Sequence, residues 1–151
     1  MVAEGLPAPT FSLKDQDGNT HSLSDYKGKK VLLYFYPKDD TPGCTTEACN
    51  FRDSYKDFQS KGLAILGVSA DSVEKHKKFA EKYNLPFPLL SDEDHKVCEA
   101  YGVWGEKNFM GRKYMGISRS SFLIDEEGNI GKVYEKVKPK EHAEKVIGDL
   151  S

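Results

Sequence analysis

Several features that define other protein classes are missing from this chain. The longest apolar run, residues 31–36, ends at Pro37 and falls far short of the roughly 18 apolar residues that a membrane helix needs. The first residues carry neither a basic start nor an apolar segment, so we expect no signal peptide. Three cysteines cannot all pair within the chain, which argues against a secreted disulfide scaffold and favours a reducing, cytoplasmic location.

An excess of charge of one sign is also lacking. The chain has 22 Lys and Arg residues against 24 Asp and Glu residues, for a net charge of −2. Nucleic-acid-binding domains are typically strongly basic, so we expect no nucleic-acid partner. The four histidines fall in separate segments without zinc-helix spacing, and the glycines after residue 101 form no phosphate-binding fingerprint. The sequence therefore predicts neither a metal site nor a cofactor.

Strand-like and helix-like segments alternate along the 151 residues, without repeats or linkers, which predicts one domain over residues 1–151. The expected elements are a hairpin at 11–23, strands at 29–36, 63–68 and 89–90, helices at 44–58, 71–83 and 92–101, a hairpin at 121–134 and a last helix from Pro139. We expect Asp71 to cap the second helix and residues 103–116 to be irregular. This order predicts an α/β thioredoxin-like fold, a mixed sheet flanked by helices, with an N-terminal hairpin extension.

Cys44 occupies the position in the chain that is best suited to a reactive residue. It follows the first long strand and a polar turn, at the start of a predicted helix. Backbone N–H groups at a helix start have no partner within the helix, and they stabilise a thiolate. Open parallel sheets also place their sites in loops at the carboxyl ends of strands. These arguments favour a reactive Cys44, and a small buried structural thiol is the alternative.

Cys49 lies five residues beyond Cys44. On a straight helix the two Cα atoms would be roughly 8.7 Å apart, whereas a disulfide requires a separation below about 7 Å. If the two cysteines do form a disulfide, the first turn or two of the helix must therefore unwind. The segment would then be a redox-driven order switch.

The residues around both cysteines resemble the peroxiredoxins. The pattern Pro37-x-x-x-Thr41-x-x-Cys44 is the active-site signature of that family. Residues 41–53, TPGCTTEACNFRD, are similar to its peroxiredoxin Q branch, also called the bacterioferritin comigratory proteins. Further similarity at residues 5–11, 101–104 and 119–125 extends the resemblance over nearly the whole chain.

The resemblance implies a thiol peroxidase that reduces hydrogen peroxide and organic hydroperoxides without haem or metal. Cys44 would attack the O–O bond and become a sulfenic acid. Cys49 would resolve it as an intramolecular disulfide, which thioredoxin or a similar thiol reductant would reopen. Other family members carry the resolving cysteine on the following helix, where this chain has Ala80. The branch also implies a monomer.

The same resemblance assigns roles to five further residues. The Thr41 hydroxyl would orient the thiolate and the peroxide, and Arg119 would polarise the site. Pro37 would shield the pocket, the backbone N–H of Gly43 would complete the donors, and Glu47 would position the guanidinium. Such donors suit the reaction, because O–O cleavage builds negative charge on the leaving oxygen.

Two other functions remain open at this point. A thiol–disulfide oxidoreductase could use the same fold, although such enzymes typically carry Cys-x-x-Cys. A metal-binding module would use Cys44, Cys49 and a histidine. Cys98 is expected to be a buried or half-buried free thiol, with a backup resolving role as the alternative. Apolar side chains within residues 104–115 would cap the core, line the peroxide pocket or form a dimer surface.

Overall fold

The computed structural model of the chain describes residues 2–150, and strands and helices alternate along them. The strands are β1 (Ser12–Lys14), β2 (Thr20–Ser22), β3 (Lys30–Phe35), β4 (Leu63–Ser69), β5 (Leu89–Ser91), β6 (Trp104–Phe109), β7 (Arg112–Ile117), β8 (Ser120–Ile124) and β9 (Ile130–Tyr134). The helices are α1 (Pro42–Asp53), α2 (Tyr55–Ser60), α3 (Val73–Tyr83), α4 (Lys96–Ala100) and α5 (His142–Leu150). A 3-10 helix at Leu23–Tyr26 follows β2.

Seven strands form one sheet in the order β2-β1-β5-β4-β3-β8-β9. Strands β3, β4 and β5 run parallel, whereas β8 pairs antiparallel with β3 and β9, and β1 pairs antiparallel with β5 and β2. The predicted mixed sheet and the N-terminal hairpin extension are therefore confirmed. None of the helices within residues 2–150 is long and apolar enough to cross a membrane.

Strand β3 lies inside the sheet, between β4 and β8, and is buried on both faces. Its alternate residues, and Tyr36 directly after it, point to two hydrophobic clusters: Leu32, Tyr34 and Tyr36 to one, and Val31, Leu33 and Phe35 to the other. Helices α1, α2, α3 and α5 contribute side chains to the first cluster, and α4 contributes to the second. An unbroken apolar strand is what two buried faces require, because side chains alternate between the faces.

The helix predicted over residues 44–58 is two helices. Helix α1 begins at Pro42, with Thr41 as its N-cap, and ends at Asp53, while α2 begins at Tyr55. Ser54 interrupts them with φ −102° and ψ 8°. The apolar spacing continues across the break, because both helices pack on the same core cluster. Periodicity alone therefore did not reveal the interruption.

Three other helix starts differ from the prediction. Helix α3 begins at Val73, and its cap is Ser72 rather than Asp71. Helix α4 begins at Lys96 rather than next to Asp92, and α5 begins at His142 rather than at Pro139. The Ser72 side chain accepts a hydrogen bond from the backbone N–H of Lys75. Asp71 does not cap the helix, because its carboxylate accepts a hydrogen bond from the backbone of Asp39.

The expectation of an irregular segment over residues 103–116 is wrong, because β6 and β7 form a regular antiparallel hairpin there. Its two-residue turn consists of Met110 at φ 52° and Gly111 at φ 79°. Two positive φ values in succession are the geometry of a turn that matches the twist of paired strands. Phe109, Met110, Tyr114 and Met115 are exposed on this hairpin, so these four do not cap the core.

Candidate active site

Cys44 lies in the first turn of α1, two residues after Pro42. Thr41, the N-cap, accepts the first hydrogen bond of the helix from the backbone N–H of Thr45, at 2.8 Å. The N–H groups of Gly43 and Cys44 precede that bond and point out of the helix start. The Cys44 side chain is only 1% exposed. The sulfur is thus shielded from bulk water and lies close to the positive end of the helix dipole.

Arg119 holds Cys44 and Glu47 with the two arms of its guanidinium. Its Nη2 donates to Cys44 Sγ at 3.2 Å, and its Nη1 donates to Glu47 Oε1 at 2.7 Å. Arg119 lies between β7 and β8, next to Ser120 at the start of β8, while Cys44 and Glu47 are three residues apart on α1. The Arg119 side chain therefore connects the sheet, next to β8, with the first turns of α1.

Gly43 leaves the space that the guanidinium occupies. A Cβ atom at this position would lie 3.2 Å from Arg119 Nη2 and 3.5 Å from Pro139 Cγ. The first distance is tighter than ordinary van der Waals contact. A side chain at position 43 would therefore press on the guanidinium, which would have to shift by a few tenths of an ångström.

Glu47 is a buried carboxyl group with one oxygen bound and one unbound. Its side chain is 1% exposed, and its Oε2 has no hydrogen-bond partner among the described residues. Burial raises the pKa of Glu47 to about 7, although the Arg119 charge acts in the opposite direction. The cluster therefore contains a carboxyl group that can exchange a proton near neutral pH.

Thr41 and Pro37 belong to the loop that leads into α1, and among the described hydrogen bonds neither is bonded to the Cys44 sulfur. The Thr41 hydroxyl donates to the backbone carbonyl of Lys38 at 2.9 Å, which leaves its lone pairs free. Pro37 is exposed and follows β3 and Tyr36 at the start of the loop that leads into α1. Their roles in orienting the peroxide and shielding the pocket stay predictions.

Both cysteines of the expected disulfide lie on the uninterrupted helix α1 and carry free thiols. Cys49 is half-buried, in contrast to the buried Cys44. Five residues of regular α-helix separate the Cα atoms by roughly 8.7 Å, which is beyond disulfide reach. The structure is therefore that of the dithiol, with the site assembled around Cys44.

Comparison with known proteins decides which family has this arrangement. The model of the AhpC/TSA family matches residues 5–133. The chain belongs to the AhpC/TSA family. It is 57% identical over 149 residues to a protein named Putative peroxiredoxin bcp from Coxiella burnetii, an alignment that covers 99% of each chain. It is 56% identical to Peroxiredoxin Bcp from Bacillus subtilis, over 97% of this chain and 93% of the relative.

Solved structures of the same branch superimpose on this peroxiredoxin. A structure of the bacterioferritin comigratory protein of Xanthomonas campestris matches with a TM-score of 0.91 and 41% identity, over 99% of this chain and 97% of that one. Peroxidoxin BcpB from Mycobacterium tuberculosis matches with a TM-score of 0.87 and 36% identity, over the same shares. These matches confirm the thioredoxin-like fold class and the peroxiredoxin Q branch. The protein is a thiol-dependent peroxidase that reduces peroxides with electrons from a thiol reductant.

Cys98 takes no part in this site. It is fully buried on α4, and burial together with the Asp92 carboxylate raises the pKa of its thiol. Its backbone N–H donates to Asp92 at 2.7 Å. The expectation of a buried thiol is confirmed, and a protonated, enclosed sulfur is a poor nucleophile.

Sequence analysis missed a buried polar group in this peroxiredoxin, formed by Asp39, Asp71 and His76. Within residues 2–150 it is the one set of at least three possible metal ligands whose donor atoms all lie within 4.8 Å of one another. It contains neither Cys44 nor Cys49, so the metal-binding alternative lacks the ligand set that it requires. The available signal was the position of His76 on the apolar face of α3, three and four residues before Phe79 and Ala80.

His142 is a second buried polar residue that the sequence did not single out. Its Nε2 lies 2.8 Å from Ser121 Oγ, and its ring packs edge-on against Phe51 and Tyr134. Burial, together with the nearby charges of Lys145 and Arg119, lowers the pKa of His142 to about 4. The imidazole is therefore neutral at neutral pH.

Glu47 and His142 are expected to affect the pH dependence of stability in opposite directions. The folded protein holds the Glu47 proton up to about pH 7, against about 4.5 for an unperturbed Glu. Its contribution to stability is therefore present below pH 4.5 and is lost as the pH rises to about 7. Relative to Glu47→Gln, the wild-type free energy of unfolding should fall over this range by an amount on the order of 3 kcal/mol.

His142 has the opposite sign, because the folded protein excludes a proton that the unfolded chain binds below about pH 6.5. Its contribution is present above pH 6.5 and is lost as the pH falls to about 4. Urea unfolding across this interval should show a weak pH dependence for wild type. Stability should rise with pH in Glu47→Gln and fall with pH in His142→Gln. Parallel pH profiles for all three proteins would contradict the prediction.

Proposed function

We propose that this peroxiredoxin uses Cys44 as its peroxidatic cysteine and Cys49 as its resolving cysteine. In the first step the Cys44 thiolate attacks one oxygen of ROOH, the O–O bond breaks, and the leaving RO⁻ takes up a proton to give ROH. Cys44 is oxidised to a sulfenic acid. In the second step the Cys49 sulfur attacks the Cys44 sulfur, water leaves, and a disulfide forms.

The 3.2 Å contact between Arg119 Nη2 and Cys44 Sγ carries the first step. Arginine stays protonated at every relevant pH, so it stabilises a thiolate in the ground state and negative charge on the leaving oxygen in the transition state. The amides of Gly43 and Cys44 supply further donors on the same side of the sulfur. In this proposal Thr41 orients the peroxide, Pro37 covers the site, and Glu47 fixes the guanidinium.

Location supports Cys49 as the partner of Cys44. Both lie on α1, and Cys49 is half-buried, whereas Cys98 is enclosed on the opposite side of the sheet. Residue 80 on α3, where other family members carry a resolving cysteine, is a buried alanine. Because α1 separates the two sulfurs while it is intact, the second step includes unwinding of its start.

The remaining parts of the proposal concern partners and location. A dithiol reductant of the thioredoxin type attacks the Cys44–Cys49 disulfide and leaves with the disulfide itself, which returns two thiols to the enzyme. We propose a monomer, following the branch to which the chain belongs. We also propose a cytoplasmic location, since three cysteines cannot all pair within the chain and the chemistry requires reduced thiols.

Thiol counting with peptide mapping tests the proposal. The reduced protein has three free thiols, and one equivalent of hydrogen peroxide should leave one, that of Cys98. Trypsin releases Cys44 and Cys49 together in residues 39–52, so this peptide should become lighter by two hydrogen atoms. Cleavage after Glu47 by an acidic-residue-specific protease should then give two fragments joined by the disulfide. A bridge to Cys98, or between two chains, would refute the assignment.

Arg119→Lys tests whether the guanidinium acts by shape as well as by charge. We expect it to slow the reaction with hydrogen peroxide by roughly tenfold to a hundredfold, because an ammonium group cannot reproduce the fork that holds Cys44 and Glu47 together. The measurement is the single-turnover rate of thiol loss. The matched control is Arg112→Lys, an exposed arginine on β7, which should react at the wild-type rate. A wild-type rate for Arg119→Lys would show that charge alone suffices.

A further inference from the structure

A second buried network surrounds Asp39, in the middle of the loop that precedes α1. We call residues 37–41 the active-site loop. Asp39 Oδ1 accepts a hydrogen bond from Tyr36 Oη at 2.6 Å, and Asp39 Oδ2 lies 2.6 Å from His76 Nδ1. The backbone N–H of Asp39 donates to Asp71 Oδ2 at 2.8 Å. The side chains of Asp39 and His76 are 6% and 0% exposed.

The partners of His76 fix the number of protons in this network. His76 Nε2 lies 2.9 Å from the backbone carbonyl of Leu90, which can only accept, so Nε2 carries a proton. A second proton must lie between Nδ1 and the Asp39 carboxylate, because two bare acceptors would repel at 2.6 Å. A hydrogen bond in which one partner is ionised is roughly twice as strong as one between neutral groups.

The network ties the active-site loop to three elements of the scaffold. His76 belongs to α3, Leu90 to β5, and Asp71 lies two residues after the end of β4. Asp71 is itself held by Ser69, whose Oγ donates to its Oδ2 at 2.7 Å. All of these partners lie outside α1. The hydrogen bonds that hold Asp39 therefore involve no residue of α1.

A second tie joins the next loop residue to α3, but at the surface. Asp40, at φ 59°, accepts hydrogen bonds from Lys82 Nζ and Tyr83 Oη, both at 2.9 Å. The Lys82 and Asp40 side chains are 57% and 43% exposed. Exposed ion pairs contribute little, so this tie is the weaker of the two and provides a matched control.

We propose that Asp39 and His76 are positioning residues for Cys44, which hold the active-site loop in place while the start of α1 unwinds. The inference rests on the proposed function, because it is the Cys44–Cys49 disulfide that requires unwinding. The first bond of α1, from Thr45 N–H to the Thr41 carbonyl, is a neutral backbone bond. It opens more readily than the buried bonds of Asp39. Rearrangement thus begins after the loop, and Cys44 returns to the same place after reduction.

Hydrogen exchange of single amides in the wild-type protein tests this directly. The Asp39 amide should remain protected in both the reduced and the peroxide-oxidised protein, whereas the Thr45 amide should lose its protection on oxidation. Joint loss of protection at both amides would overturn the proposal. No substitution is involved, so the result does not depend on whether a variant folds.

Variants of Asp39 test the positioning role in the first reaction. Asp39→Ala should slow the loss of the Cys44 thiol to hydrogen peroxide by roughly tenfold or more, because small displacements of reacting groups cost large factors in rate. Asp39→Asn should restore most of the rate, since its amide can accept from Tyr36 and donate to a neutral His76. Lys82→Ala, which removes only the exposed tie, should react at the wild-type rate. Equal rates for Asp39→Ala and Lys82→Ala would overturn the proposal.

The two experiments separate this inference from the proposed function. If peptide mapping finds no Cys44–Cys49 bridge, the proposed function fails and so does the claim about unwinding. The Asp39 rate comparison then still decides whether the loop positions Cys44. If the bridge forms and the Asp39 amide exchanges freely in the oxidised protein, the proposed function stands and the positioning role is wrong.

Discussion

Replacing Cys44 with serine is expected to abolish peroxide reduction. A serine hydroxyl in this site stays protonated and cannot form the sulfenic acid, while the contacts of Arg119 with Glu47 remain available. Peroxide consumption by the reduced variant should be indistinguishable from a protein-free blank, both in single turnover and with reductant present. Thermal unfolding measured alongside should show that the variant is folded.

Cys98→Ser is the matched control for this experiment. It also removes one of the three thiols, but from the enclosed position on α4, and it should retain the peroxide reactivity of wild type. Peroxide reduction by Cys44→Ser would mean that another cysteine is the reacting group. The contact between Arg119 and Cys44 would then have no part in the chemistry.

Cys49→Ser is expected to separate the first reaction from turnover. The variant should consume one equivalent of peroxide per chain at close to the wild-type rate, because the hydrogen bond to the Cys44 sulfur comes from Arg119 and the substitution leaves it in place. It should then stop turning over with a thioredoxin-type reductant, since no intramolecular disulfide forms. The unresolved sulfenic acid should react with further peroxide to give sulfinic and sulfonic acids at Cys44.

Two measurements establish this result. Peroxide consumption with reductant present should fall to a single burst, and mass spectrometry of residues 39–52 should show two or three added oxygen atoms after excess peroxide. Recycling of Cys49→Ser at the wild-type rate would mean that the resolving assignment is wrong. Cys98 would then be the next candidate, and the double variant with Cys98→Ser would decide the point.

Most of the fold can be predicted from local sequence patterns, which involve residues close together in the chain. Strand β3 is readily predicted, because it is buried on both faces and so has no polar interruption. The hairpins at 11–23 and 121–134 are predicted by turn residues between apolar runs, and both are present. The contact between Arg119 and Cys44 involves residues 75 positions apart, so the periodicity of apolar residues does not reveal it. It was anticipated only through the resemblance to a family.

The features that escaped prediction depend on tertiary contacts or on unusual turns. Hairpin β6–β7 turns at Met110 and Gly111, a pair without the asparagine or aspartate that usually marks such turns. Its strands face solvent, so they lack the apolar alternation by which half-buried strands are recognised. The contact of Asp39 with His76 spans 37 residues, and nothing near Asp39 in the chain indicates a buried carboxylate.

The interruption at Ser54 limits how far a change in α1 can spread. The first hydrogen bond of α2 runs from the Phe58 N–H to the Ser54 carbonyl at 3.1 Å, so α2 shares no backbone bond with the turn that contains Cys44. Phe58 is fully buried in the core below the sheet. In the proposed cycle, unwinding at the start of α1 therefore need not extend to Phe58 and the core around it. Oxidative damage should accordingly begin at the Cys44 sulfur rather than in the hydrophobic core.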